Sequence, residues 1–278
     1  MPDILSASRS CCVECVAGPR LQVFCKLARA SAGLMSTTHY TPSSSSTAKS
    51  DRLALAFLFG IFATSMVFWF FPELDFIVSQ WFFSPGEGFA LSANPVLLWL
   101  RSSSDWVLGG IVFVLAARIL WSAVQSTLTW PQVRNPVWLL AGLALGPGLI
   151  VNGILKELWG RPRPVNVDLF GGDAPYQKVW IVSDWCSGNC SFVSGEASAS
   201  ACLVAAALVL PKPVRPAATA LMLVYAGSLS LNRVAFGGHF LSDVILAWLI
   251  CGLVFALLYR VLPDTARCYR ANGSLLGK

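Results

Sequence analysis

Six apolar runs dominate the sequence, at residues 53–71, 106–124, 137–155, about 194–210, 217–231 and 240–262. Each run approaches the ~20 residues that a helix needs to cross the hydrocarbon core of a bilayer, although the fourth and fifth are short. The runs are continuous and rich in Leu and Ala, whereas a membrane β-barrel would alternate apolar and polar residues over ~10-residue segments. The sequence therefore predicts an all-α, polytopic membrane protein with six transmembrane helices in a bundle.

The composition agrees with a membrane protein, since 55% of the residues are hydrophobic, 12% are charged and the mean hydropathy is +0.64. Residues 51–262 are predicted to form the six-helix domain, followed by a cytoplasmic tail at residues 263–278. Residues 1–50 are rich in Ser, Cys and Ala and lack the apolar core of a signal peptide, so we expect a disordered tail. Either this tail resembles an organelle transit peptide, or translation begins at Met35.

The basic residues predict an orientation. If the N-terminus is cytoplasmic, most Lys and Arg residues flank the cytoplasmic ends of the spans, and both termini lie on that side. This arrangement fits a bacterial inner membrane protein whose functional face is periplasmic. The net charge of +6 forms no basic stripe, so nucleic acid is not an expected partner. The basic residues that would face the periplasm, against the usual bias, are Arg101, Lys156, Arg161, Arg163, Lys178 and Arg233.

The cysteines and histidines predict no metal centre. Of nine cysteines, only Cys186 and Cys190 lie in an outward loop, where an oxidising compartment would allow a disulfide between them. The chain has two histidines and no paired Cys or His clusters. We therefore expect neither a metal nor another cofactor.

The first segment that suggests chemistry is "KELWGRPRP". Lys156 ends the third apolar run, and Arg161 and Arg163 follow in a stretch where each proline disfavours helix at the preceding residue. A basic cluster at the end of a span is commonly an interfacial anchor. On the outward side such an anchor opposes the charge bias, so binding of an anion is the alternative.

The second segment, "SGE", begins the fourth run with Ser194, Gly195 and Glu196. Free backbone N–H groups at a helix start favour an anion, and the serine adds a hydroxyl donor. The alternative is a serine N-cap with an acid in the first turn, which stabilises a helix by ~1 kcal/mol.

The third segment, "NRVAFGGHFLSDV", contains Arg233, His239 and Asp243. Because His239 and Asp243 are four residues apart, we expect them to share a helix face and the carboxylate to accept a hydrogen bond from the imidazole. Such a bond fixes the tautomer and makes the other ring nitrogen a better nucleophile. An ionisable pair near the start of a span is a functional hypothesis by default.

Together the three segments predict a phosphate site. A phosphate dianion would take several charge-assisted hydrogen bonds of ~1.5–3 kcal/mol each from the basic residues and the Ser194 turn. His239 would attack phosphorus, and Asp243 would stabilise the resulting cation. Fixed positive charges can stabilise a phosphoryl-transfer transition state without a metal.

The ordered motifs resemble those of the type 2 phosphatidic acid phosphatase superfamily. They are K-x6-R-P (Lys156, Arg163, Pro164), S-G-x (Ser194, Gly195) and R-x5-H-x3-D (Arg233, His239, Asp243), and the resemblance covers residues 50–262. It implies a six-helix membrane phosphatase that acts on lipid phosphates or diphosphates through a phosphohistidine, without a metal. In this resemblance His239 is the nucleophile, Asp243 orients it, and the phosphate is bound by Lys156, Arg163, Ser194, Gly195 and Arg233.

Two positions depart from the family pattern. Asn232 stands where serine is usual, and Glu196 stands where the family usually has a histidine that protonates the leaving alcohol. Three interpretations of Glu196 follow. It is a replacement general acid, a role worth ~10²–10⁴ in rate; or it is a polar clamp beside a leaving group that needs little protonation; or the protein binds a lipid phosphate without cleaving it.

The expected substrate is a membrane lipid phosphate, with lipid A or a related glycolipid favoured over phosphatidylglycerol phosphate and isoprenoid diphosphates. A non-catalytic lipid-binding or transport protein is the alternative of another class, but it would not need Asp243 beside His239. The sequence does not predict the oligomeric state.

Overall fold

A computed structural model describes residues 44–125 and 129–262 of the chain. Its long helices are α1 (Ser44–Phe70), α3 (Pro95–Val124), α4 (Trp130–Leu143), α6 (Gly195–Leu208), α7 (Arg215–Ala235) and α8 (Leu241–Val261), and its short ones are α2 (Glu73–Gln80) and α5 (Lys156–Leu158). A π-helix, Ala144–Leu155, joins α4 to α5. Within the described residues there is no strand, only isolated bridges, which confirms the all-α prediction.

Four helices are long and apolar enough to cross a membrane: Ala48–Phe70, Pro95–Val124, Trp130–Leu158 and Leu241–Val261. The apolar helix α6 has only 14 residues, and α7 has 21 residues but carries Ser, Asn and Arg side chains. The prediction of a polytopic membrane protein is confirmed, whereas the count of six spans is not exact.

Two helices begin earlier than the sequence predicts. Helix α1 starts at Ser44, so residues 44–50 are helical and do not belong to a disordered tail. Helix α3 starts at Pro95, well before the apolar run, because Asn94 caps it by accepting hydrogen bonds from two backbone amides and proline suits the first helical turn. The remainders of the predicted tails, residues 1–43 and 263–278, lie outside the described residues.

The π-helix shapes the chain before the first motif. Pro147 has no N–H to donate to the preceding turn, and the side-chain amide of Asn152 donates to the Pro147 carbonyl at 2.8 Å. Asn152 and Lys156 then face the start of α6 at close range. A Cβ atom added to Gly195 would lie 2.6 Å from Asn152 Oδ1 and 3.2 Å from Lys156 Nζ, so the backbone of α6 approaches both side chains closely at this glycine.

Backbone hydrogen bonds gather the three motif segments at one end of the bundle. The amide of Ser191 donates to the Arg161 carbonyl at 2.8 Å, and the amide of Ser194 donates to the Asp243 carbonyl at 3.3 Å. The segment that precedes α6 thus runs between the first and third motifs. Its residues Phe192 and Val193 are fully buried in the main apolar core, which fixes the position of this segment.

Candidate active site

His239 lies two residues before α8, and its side chain is almost entirely buried. Its Nδ1 atom is 2.7 Å from the carbonyl oxygen of Ser191. A carbonyl can only accept a hydrogen bond, so in the neutral ring Nδ1 carries the proton and Nε2 carries the lone pair. The backbone of the segment before α6 therefore sets the tautomer of His239.

The predicted hydrogen bond between His239 and Asp243 is wrong, because His239 Nδ1 and Asp243 Oδ2 are 4.0 Å apart. The reason is that His239 precedes the helix instead of sharing a helix face with Asp243. Asp243 Oδ2 accepts from the amide of Phe240 at 3.0 Å and from the hydroxyl of Ser191 at 2.5 Å. The carboxylate thus caps α8 and acts on the imidazole only through its charge.

A fully buried ion network, which the sequence analysis missed, holds Asp243 in place. Arg161 has no solvent exposure, and its guanidinium forms ion pairs with Asp243 and with Asp75 in α2, the latter at 2.9 Å. Asp75 also accepts from the amide and the hydroxyl of Ser242 at 2.9 and 2.7 Å. Burial opposes the charge on Arg161, but the two carboxylates outweigh it and raise its pKa above the ordinary value.

The sequence carried only a weak signal for this network. Arg161 is a basic residue predicted on the outward side, but the prolines that follow it and the nearby Arg163 suggested a surface role. Asp75 is one acidic residue in "FPELDF", with nothing nearby in sequence to pair with. Since the partners of Asp75 are more than 80 residues away, at separations of 86 and 167, local pattern could not find them.

Three further basic side chains surround His239. Lys156 Nζ donates to Asn189 Oδ1 at 3.0 Å, and Arg163 Nη2 donates to the Asn189 carbonyl at 2.7 Å. Arg233 is buried, and its Nη1 atom has no hydrogen-bond partner among the described residues. Burial first, and then the positive charges of Arg233, Lys156 and Arg163, lower the pKa of His239 well below its ordinary value of 6.5. The imidazole is therefore neutral at physiological pH.

The disulfide Cys186–Cys190 encloses the loop that presents Asn189 to two of these basic residues. Asn189 has a positive φ of 49°, a conformation that asparagine tolerates better than most residues. In the described part of the chain, no three His, Cys, Asp or Glu side chains form a group that could hold a metal ion.

Ser194 is buried at the N-cap of α6, where its hydroxyl accepts from the amide of Ala197 at 3.3 Å. Glu196, in the first turn of α6, forms ion pairs with Arg101 at 3.0 Å and with Arg233 at 3.2 Å. Arg101 comes from α3, and the sequence analysis did not include it among the site residues. Glu196 thus lies between two guanidinium groups, one from α3 and one from α7.

Comparisons with known proteins identify a family and several relatives of this chain. Residues 135–267 match the model of the PAP2 superfamily. The chain is 35% identical over 206 residues to the lipid A 4'-phosphatases of Rhizobium leguminosarum and Rhizobium etli, an alignment that covers 69% of this chain and 88% and 80% of the two relatives. It is 42% identical over 135 residues to the lipid A 4'-phosphatase of Francisella tularensis subsp. novicida, covering 46% of this chain and 61% of that protein. No solved structure shows significant similarity to the chain.

The apolar helices and the phosphatase relatives together define an integral membrane phosphatase, a hydrolase of phosphoric monoesters. Within that class, the chain belongs to the PAP2 superfamily. The family resemblance read from the three motifs is thereby confirmed.

The buried ion network yields a prediction for stability. Replacing Asp75 with Asn removes one of the two carboxylates that neutralise Arg161, so we expect Asp75→Asn to destabilise the protein by about 3–5 kcal/mol. Thermal unfolding of the purified protein in detergent measures the change. Glu73→Gln, at an exposed acid of the same helix, is the matched control and should unfold like the wild type. Equal unfolding of the two variants would contradict a structural role for the network.

The environment of His239 yields a second prediction. In a His39→Gln variant, His239 is the single histidine of the chain, so its ring can be observed by ¹⁵N NMR in detergent. Because burial and the nearby cations lower its pKa, the ring should stay neutral and protonated at Nδ1 as the pH falls through 6.5. Protonation should occur only at a lower pH, and denaturant should restore the ordinary titration. A titration midpoint near pH 6.5 for His239 in the folded protein would contradict the lowered pKa.

Proposed function

We propose that this chain removes a phosphate group from a lipid A-type glycolipid through a phosphohistidine formed on His239. The observation that carries this proposal is the contact between His239 Nδ1 and the Ser191 carbonyl, since it leaves Nε2 with a lone pair beside three basic side chains. The choice of lipid rests on the relatives, which are named lipid A 4'-phosphatases.

In the first step, Nε2 of His239 attacks phosphorus and the bond between phosphorus and the ester oxygen breaks. Lys156, Arg163 and Arg233, together with the start of α6 at Ser194 and Gly195, bind the phosphoryl oxygens. Arg233 is poised for this role because its buried Nη1 has no partner in the described structure. Each charge-assisted hydrogen bond contributes about 1.5–3 kcal/mol. The Asp243 carboxylate, 4.0 Å from the ring, stabilises the positive charge that His239 acquires.

In the second step, water attacks the phosphorus of the phosphohistidine. The bond between nitrogen and phosphorus breaks, inorganic phosphate leaves and the neutral ring returns. The Ser191 carbonyl holds the Nδ1 proton throughout, so the same nitrogen is available for each turnover.

Glu196 is the proposed proton donor to the leaving sugar alcohol, which is a poor leaving group without protonation. The carboxylate shares Arg233 with the incoming phosphate, so binding of the substrate competes with the ion pair between Glu196 and Arg233. A proton that arrives on a phosphate monoanion can pass to Glu196 and then to the ester oxygen, which conserves both atoms and charge.

The site is proposed to open on the periplasmic face of a bacterial inner membrane, with both termini in the cytoplasm. The distribution of basic residues supports this orientation, because most of them flank the opposite ends of the spans. The disulfide Cys186–Cys190 lies at the same end as His239, and an oxidising compartment allows such a bond to persist.

The nucleophile is tested with purified protein and a panel of lipid A, phosphatidylglycerol phosphate and an isoprenoid diphosphate. Wild type should release phosphate fastest from lipid A, and His239→Ala should lower the rate by at least about 10³-fold. His39→Ala is the matched control and should keep wild-type activity. An acid-labile phosphoryl adduct that persists in His239→Ala would mean that another residue is the nucleophile. Release of no phosphate from any lipid would favour a non-catalytic lipid-binding protein.

The role of Glu196 is tested by varying the leaving group. Glu196→Gln keeps a similar shape but cannot donate a proton as a carboxylic acid does, so it should slow lipid A hydrolysis by about 10²–10⁴-fold. With an aryl phosphate, whose leaving group needs little protonation, the same variant should lose much less activity. Equal losses on both substrates would assign Glu196 to clamping Arg101 and Arg233 instead of to proton transfer.

A further inference from the structure

A polar pocket of about 220 Å³ lies directly beside the candidate active site. Its walls come from α3, from the end of the π-helix and α5, and from the first turns of α6. Lys156 and Glu196 border this pocket and also interact with the basic residues around His239, so the pocket adjoins the candidate active site. Of the residues that line the pocket, the proposed mechanism uses only Lys156, Glu196 and Gly195.

Small residues on α6 create the space. Gly195 and Ala199 line the pocket where larger side chains would fill it. At Gly195 an added Cβ would lie 2.6 Å from Asn152 Oδ1, so the backbone of α6 lies close to the π-helix at this wall of the pocket. The volume is below the range of about 300–1,000 Å³ that is typical for larger ligands, which suits one small ring and not an acyl chain.

An acidic residue of α3 is exposed in this pocket without a partner. Asp105 lies in the first half of the 30-residue apolar helix α3, yet it forms no ion pair or hydrogen bond with any described residue. An ionisable side chain within a membrane helix carries a free-energy cost and indicates a function by default. A ligand in the pocket is therefore the candidate partner of Asp105.

The charges of the pocket select the kind of ligand. Asp105 and Glu196 supply two carboxylates, whereas Lys156 supplies one ammonium group that is already bonded to Asn189. A second phosphate would be repelled by the carboxylates. Sugar hydroxyl and amide N–H groups, by contrast, donate hydrogen bonds to carboxylate oxygens and to Asn152 Oδ1.

We propose that this pocket, lined by Asp105, Asn152 and the Gly195–Ala199 turn, binds the sugar ring that carries the phosphate to be removed. The inference rests on the proposed function and deepens it. Glu196 stands between the phosphate site and the pocket, where a proton donor must meet the ester oxygen that joins phosphate to sugar. The ring on the far side of that oxygen then extends into the pocket.

The test compares a glucosamine-based lipid phosphate with phosphatidic acid of the same acyl chains, at equal mole fractions in detergent micelles. Ala199→Leu fills the pocket, and Asp105→Leu removes the carboxylate while leaving an apolar side chain that suits a membrane helix. Each variant should lower the ratio of kcat/KM for the glycolipid to kcat/KM for phosphatidic acid about tenfold, chiefly through KM. Ala217→Leu, on an exposed face of α7, is the matched control and should keep the wild-type ratio.

The outcomes separate this inference from the proposed function. If wild type hydrolyses the glycolipid and neither variant changes the ratio, the pocket does not bind the sugar, although the proposed function stands. If wild type releases phosphate from phosphatidic acid but not from the glycolipid, the proposed substrate is wrong and the inference falls with it. Because Asp105→Leu makes the helix more apolar, it keeps the test decisive even if Ala199→Leu does not fold.

Discussion

The buried guanidinium of Arg161 is the interaction on which the site depends. It joins Asp75 of α2 to Asp243 of α8, and all three side chains are shielded from solvent. A buried charge without its partners costs several kcal/mol, so this arrangement admits little variation in how the two helices and the loop between them meet. The main-chain carbonyl of Arg161 also accepts from Ser191, which links the ion network to the segment that contacts His239.

The histidine receives two kinds of support from different parts of the chain. The Ser191 carbonyl fixes the tautomer by a direct hydrogen bond, while Asp243 contributes a negative charge at 4.0 Å. Separating these tasks leaves Asp243 free to cap α8 and to neutralise Arg161. The surrounding cations favour the neutral ring, and in the proposed mechanism they bind the oxygens of the phosphoryl group.

Glu196 has a physical reason to stand at the start of an apolar helix. Its carboxylate lies between Arg101 and Arg233, so two ion pairs offset the cost of an acid at that position. The same position places it between the phosphate site and the polar pocket that reaches Asp105. Neither feature follows from the local sequence, because Arg101 is 95 residues away and belongs to a helix whose start the apolar pattern did not predict.

The sequence by itself determined the class of protein and its family. Apolar runs of spanning length require helices in a membrane, because the bilayer offers no partner for unpaired backbone groups, and three spaced motifs identified the superfamily. Only the tertiary structure decided which groups touch. The contact of His239 with a main-chain carbonyl, the partners of Asp243 and the pairing of Asp75 with Arg161 join residues far apart in the chain. Spacing along a chain constrains near neighbours, whereas these contacts are set by how the helices pack.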